Sequence, residues 1–202
     1  MNIFRLTGDM MHLASILILL NKMHTSKSCA GISFKTQALY LAVFVARYLD
    51  LFLHFVSLYN TLMKIFFIAS SAYIVYLMFN PLRHTYDAPL DTFRVEYLVG
   101  ISAFLALLFT GKYNIDEILW TFSIFLESVA ILPQLFQMTR TGEAETITAH
   151  YVFALGAYRA LYLFNWVYRY YTEPKYYDVI VWIAGLVQTA LYGDFFYIYF
   201  NR

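Results

Sequence analysis

The feature that most constrains this chain is a row of apolar stretches, each close to the length needed to cross a membrane. They fall near residues 3–20, 37–55, 65–79, 95–110, 118–138, 150–168 and 178–199. A helical span needs about 20 mostly apolar residues, and only helices or closed barrels satisfy the backbone inside lipid. The polar stretches between them, at 21–35, 59–64, 80–94, 111–117, 137–148 and 170–178, are short and leave no room for a soluble domain. With 61% hydrophobic and 13% charged residues, the chain has too little polar surface to cover a water-soluble globule, where about 25% charge is usual. A net charge of +1 excludes the basic field of a nucleic-acid binder, and one cysteine, Cys29, excludes a disulfide scaffold. The expectation is an all-α integral membrane protein of seven transmembrane helices, with the third and fourth short.

The first stretch reads as a span, not a cleaved leader, because Asp9 and His12 interrupt it and the small residues Ser28-Cys29-Ala30 lie far beyond its end. Lysine and arginine counts set the orientation. One side carries Lys22, Lys27, Lys35, Arg83, Arg94, Arg140 and Arg202, the other Arg5, Lys64, Lys112 and Lys175. The richer side is expected in the cytosol, with the N-terminus lumenal and the C-terminus cytosolic.

An internal echo points to the arrangement. Arg47-Tyr48-Leu49-Asp50-Leu51-Phe52 in the second span matches Arg159-Ala160-Leu161-Tyr162-Leu163-Phe164 in the sixth at four of six positions. Two parallel three-helix repeats are expected, repeat one at about 1–79 and repeat two at about 118–200, joined by a linker helix at about 95–110. In transporters built this way the binding site lies between the halves.

Ionisable groups inside a span are costly and mark function by default. Arg5, Asp9 and His12 share one face of the first span, and Arg47, Asp50 and His54 form a stripe in the second. Trp120, Glu127 and Gln134 recur every seven residues in the fifth, with Glu117 one turn earlier. The sixth carries Tyr158, Tyr162, Asn165, Trp166 and Arg169. Such faces are expected to converge on an interior cavity. Three arginines suit carboxylates, while Asp50, Glu117 and Glu127 supply the opposite sign and Trp120 and Trp166 offer faces for a cation. Ligand binding and structural charge pairing are both open readings of this set. Histidine titrates near secretory-pathway pH, so His12 and a desolvated Glu127 make a pH-gated site physically available; a plain helix contact is the alternative. No phosphate loop, zinc motif, cysteine pair or nucleophile elbow occurs, and His24, His84 and His150 are too scattered for a metal set, so an enzyme and a cofactor are not expected.

The same segments carry a resemblance. Met1-Asn2-Ile3-Phe4-Arg5-Leu6-Thr7-Gly8-Asp9, Ser28-Cys29-Ala30-Gly31-Ile32-Ser33, Arg47-Tyr48-Leu49-Asp50-Leu51-Phe52 and Ser57-Leu58-Tyr59-Asn60 resemble the KDEL receptors. So do the block from Phe122 to Leu135 and the run from Gly142 through Glu145, Tyr158, Arg159 and Trp166 to Arg169. The resemblance implies a fold similar to the SWEET and PQ-loop transporters, with Pro133-Gln134 as the PQ element. It further implies a receptor that binds the C-terminal Lys/His-Asp-Glu-Leu signal of escaped soluble endoplasmic-reticulum (ER) proteins in the acidic Golgi. Such receptors return in coat-protein-I (COPI) vesicles and release cargo at near-neutral pH, with protons as the regulators.

By that resemblance Arg5, Arg47 and Arg169 look like a basic ladder for the signal's carboxylates, and Tyr48 like a partner at the terminal one. Asp50, Glu117 and Trp120 resemble readers of the signal's Lys or His, and Tyr162, Asn165 and Trp166 the remaining pocket wall. His12 matches a pH-sensing position, Glu127 and Tyr158 a pair that closes a short hydrogen bond on binding, and Arg159 a position near that lock. Asp194 resembles an aspartate linked to return transport. Members of the family continue into a lysine-containing tail read by the COPI coat, whereas this sequence ends at Asn201-Arg202, so the resemblance carries binding further than transport. A PQ-loop small-solute transporter is the alternative function that shares the fold.

Overall fold

The computed structural model describes residues 2–52, 55–141, 146–174 and 178–200, leaving out the side chains of Asp50, Phe52, Thr141, Thr146, Ile147, Asp194 and 198–200. The described residues are helical and contain no strand. The helices are α1 (Ile3–Ser26), α2 (Phe34–Arg47), α3 (Leu58–Phe79), α4 (Val95–Phe109), α5 (Ile115–Val129), α6 (Leu132–Thr141), α7 (Thr146–Thr172) and α8 (Val179–Phe200). Because α5 and α6 are two halves of one bent rod, these eight helices account for the seven apolar stretches of the sequence.

Among the described residues, four helices qualify by length and apolarity to cross a membrane: Ile3–Ser26, Leu58–Phe79, Ile115–Arg140 and Val179–Tyr197. The helix α7, at 27 residues and so about 40 Å, is long enough but carries polar residues along one face. The second and fourth helices have 14 and 15 residues, about 21–23 Å, short of a hydrocarbon core of about 30 Å. The expected short third span is therefore corrected. It has 22 residues and starts at Leu58, because the Ser57 hydroxyl caps it by accepting from the Asn60 N–H at 3.2 Å. Lys64, which reads as loop, is a buried residue of this helix with its ammonium 5.6 Å from the centre of the Tyr48 ring.

A second correction concerns the fifth span. Pro133 has no N–H and its ring collides with the carbonyl four residues back, which kinks or breaks a helix running from Glu117 to Gln134. The rod breaks between Val129 and Leu132. The break is tied to the segment that enters α2. The Gln134 side chain accepts from the Ser33 N–H and donates to the Gly31 carbonyl, each at 2.9 Å, and the Gln134 N–H donates to Thr36 Oγ1 at 3.0 Å. Asp91 completes the clasp: it accepts from the Ser33 hydroxyl, the Lys35 N–H and the Tyr86 hydroxyl. Burial first, and then the hydrogen bond to Asp91, push the Tyr86 phenol well above its ordinary pKa.

The chain forms two compact units, one of residues 1–27 with 144–202, the other of 28–143. Within the first, α1 packs along α7, and α7 on α8. Without a hydrophobic drive between helices in lipid, small residues set how closely backbones approach. Gly8 lies so close to the Tyr162 ring that any Cβ there would overlap it, and Gly185 is held as closely by Trp166. Lys22, buried near the end of α1, donates to Thr148 Oγ1 at 2.9 Å. Within the second unit, α2 packs on α3 and on α5, and α4 packs on α5.

Replacing Gln134 with Ala removes a buried donor and acceptor and leaves the Ser33 N–H and the Gly31 carbonyl unsatisfied, at a cost of about 1–3 kcal/mol each. The expected result is an apparent melting temperature in detergent lowered by roughly 5–10 °C; an unchanged melt would show that the clasp is not structural.

Candidate functional site

In the first unit, the site face runs along α1 and α7. Asn2 caps α1 by accepting from the Arg5 N–H at 2.9 Å, and its amide donates to the Asn165 side-chain oxygen at 2.7 Å. One turn deeper, the Tyr162 hydroxyl donates to Asp9. Deeper still, His12 stacks flat on Tyr158 with ring centres 4.2 Å apart, and Arg159 donates to the Tyr158 hydroxyl at 3.2 Å. The Arg159 guanidinium also lies over the Tyr158 and Trp166 rings, at 5.2 and 5.9 Å. Asp9, His12, Tyr158, Arg159, Asn165 and Trp166 are all buried. The sequence places these residues on shared faces, and the structure brings them into contact.

At the open end of this face is a cleft of about 430 Å³ whose lining includes Asn2, Arg5, Asn165, Arg169 and Glu173. Two guanidinium groups and the positive end of the α1 dipole favour an anion here. Arg169 is engaged by Glu173, one turn on, through three contacts of 2.7–3.0 Å. That hydrogen bonding holds the Glu173 carboxyl below its ordinary pKa.

In the second unit, Arg47 ends α2 and forms an ion pair of 2.5 Å with Glu127 on α5. Its Nε donates to Ser123 Oγ at 3.0 Å, and Ser123 donates to the Trp120 carbonyl. Glu117 and Trp120 are half-buried in the first turns of α5, where Asn114 caps the helix by accepting from the Glu117 N–H. Tyr48 stacks on Phe44 and receives the Lys64 ammonium on its ring.

Two expectations change. The expected stripe along the second span stops at Arg47, and Asp50 lies beyond the end of α2. Tyr48 leaves the helical region (φ −108°, ψ 22°), and the chain tightens into a 3-10 turn at Leu49–Phe52. His54 and the side chains of Asp50 and Asp194 lie outside the described residues. Gln134 does not continue the Trp120 and Glu127 face, because it lies past the break. In this structure Glu127 pairs with Arg47.

Sequence reading missed Asn2, Ser123 and Glu173. Asn2 was findable as an N-cap three residues before Arg5, and Glu173 by its spacing of four from Arg169. Ser123 gives no such signal, because serine inside a span usually bonds its own backbone.

The described residues define a helical membrane protein whose α1–α7 polar face ends in a cationic cleft. Among the described residues, no three His, Cys, Asp or Glu side chains group as metal ligands would. Comparison with known proteins is decisive on family. Residues 28–169 match the model of the ER lumen protein retaining receptor. The chain is 60% identical over its whole length to an ER lumen protein-retaining receptor of Caenorhabditis elegans, covering 94% of that protein. It is 59% identical to receptor 2 of Gallus gallus, covering 95% of it, and 57% identical to the receptor of Petunia hybrida, covering 94%. The chain belongs to the ER lumen protein-retaining receptor family. These are receptors and not enzymes.

Removing one member of a buried ion pair costs about 3–5 kcal/mol, whereas replacing both with apolar groups is often neutral. Glu127→Ala is expected to lower the melting temperature by roughly 5–10 °C, and Arg47→Met with Glu127→Leu to recover most of that loss. A double variant no better than the single one would show that the pair is not coupled.

Proposed function

We propose that this receptor binds the C-terminal Lys/His-Asp-Glu-Leu signal of escaped ER-resident proteins in the Golgi lumen and returns with them to the ER in COPI vesicles. In this reading the N-terminus is lumenal and the C-terminus cytosolic. The observation that carries the proposal is the cleft with Arg5 and Arg169 at one end of the α1–α7 face, in a chain whose relatives are named for retaining ER-lumen proteins. Charge-assisted, two-pronged bonds from arginine are the strongest match for a signal with two acidic side chains and a terminal carboxylate.

The roles follow that chemistry. Arg5, Arg47 and Arg169 take the carboxylates, with Tyr48 at the terminal one. Asp50, Glu117 and Trp120 read the Lys or His, and Tyr162, Asn165 and Trp166 form the wall. His12 senses pH, and its stacking on Tyr158 couples that charge to α7. Binding shifts Glu127 from Arg47 to a proton shared with Tyr158, beside Arg159. Asp194 acts in return transport.

The helices are read as two parallel three-helix repeats of the SWEET type, joined by α4. Supporting this, α1 packs on α7 as α5 packs on α2, and α2 packs on α3 as α7 packs on α8. Exchanging the first three spans for the last three turns each pairing into the other.

A labelled peptide ending in His-Asp-Glu-Leu is expected to bind the purified protein tightly at pH about 5.5 and weakly at about 7.4. Amidation of its C-terminus should abolish binding, and His12→Ala should remove the pH difference. A folded protein that ignores the peptide at both pH values refutes the reading and points to solute uptake instead.

A further inference from the structure

The contact between Arg169 and Glu173 is poorly explained by the needs of the helix that carries it. An acid at a helix C-terminus faces the negative end of the dipole, and an arginine four residues ahead of a glutamate is the less favourable order for such a pair. Both side chains are partly exposed, at 31% and 47%, and exposed pairs contribute little to stability. Yet the geometry is that of a built recognition. Arg169 Nε reaches Glu173 Oε1 at 3.0 Å and Oε2 at 2.9 Å, and Nη2 reaches Oε2 at 2.7 Å. A carboxylate thus occupies the side-on fork of the guanidinium, and it lines the same cleft as Arg5.

We infer that Glu173 is a built-in competitor: its carboxylate occupies the Arg169 fork in the free receptor and must be displaced, or its charge outweighed, by the carboxylates of an incoming acidic peptide. The inference rests on the proposed ligand. With Glu173 in place, the lining side chains, two arginines and one glutamate, carry one net positive charge. A peptide bearing a single carboxylate exchanges one such group for another and gains little at this fork. A peptide with several carboxylates engages Arg5 as well and keeps a surplus of favourable contacts. Glu173 therefore sets a threshold that favours a poly-acidic chain end over an ordinary one.

The effect is independent of the pH switch. Arg169 holds the Glu173 carboxyl below its ordinary value, so it is ionised at both pH 5.5 and pH 7.4. The competitor is lost only as pH falls through that depressed value. The charged groups acting on it are Arg169 on its own helix and the chain's α-amino group, with Arg5 lining the same cleft; the arginines keep their charge throughout, and the amino group is cationic at pH 5.5 and largely so at 7.4.

The test uses Glu173→Gln, with Glu173→Ala as a second variant, on the full chain in detergent. The probe is the free-acid peptide ending in His-Asp-Glu-Leu, measured at pH 5.5 and 7.4. Both variants should melt with the wild type and bind about two- to fivefold more tightly, the range for an exposed pair. The gain should be equal at the two pH values and shrink in 0.5 M salt. Unchanged or weaker binding, or a gain at one pH only, overturns the inference. Wild-type protein that binds no peptide at either pH overturns the proposed function together with it. Wild-type binding without a gain in the variants overturns the inference alone.

Discussion

Hydrocarbon offers no partner to a polar group, and that constraint organises the molecule. A buried donor or charge in a span gains from a complement on its own backbone or on another helix, and the pairs that cross between helices show which helices meet. Asp9 meets Tyr162, Arg47 meets Glu127, and Lys22 meets Thr148. These contacts do in lipid what an apolar core does in water. They also explain how a functional face is kept at all. The polar side chains of the proposed site hold one another in this structure, Asp9 with Tyr162 and Arg47 with Glu127.

Much of this was legible in the sequence. Apolar length is read directly, so the seven stretches and their order agree with the helices, and long motifs carried the family. The α1 and α7 faces were found because a period of 3.6 survives along both. What escaped were the places where that period stops. Nothing in Arg47-Tyr48-Leu49-Asp50 announces a helix end, because no glycine or proline stands there; what stands at the turn is Arg47 paired with Glu127 and Tyr48 beneath the Lys64 ammonium. Pro133 is a sequence signal of a break, and the seven-residue spacing from Trp120 through Glu127 to Gln134 does not take it into account. Ser57 shows the opposite error. A cap followed by Asn60, Thr61 and Lys64 looks like a loop, although a lysine with its stem buried and its ammonium on a tyrosine is at home in a helix.

Partner identity was less legible than partner type. The sequence identified Arg47 and Glu127 as site residues of opposite sign, but not as each other's counter-charge. Pairing depends on which helices are adjacent, and α2 against α5 is a long-range fact that no spacing records. The clasp around Gln134 and Asp91 is of the same kind, since it joins residues about a hundred and about sixty positions from Ser33 or Gly31.

The helix α4 differs from its neighbours. Among its described residues only Ser102 and Ala106 are buried, while Tyr97, Ile101, Phe104, Leu107, Leu108 and Phe109 are turned outward. A surface that touches lipid has no shape to match, because acyl chains flow around whatever side chain is presented. Evolution can therefore redraw most of this helix within an apolar alphabet while leaving its fit to α5 intact. Apolar-for-apolar exchanges on its outward face are therefore expected to leave the fold unchanged.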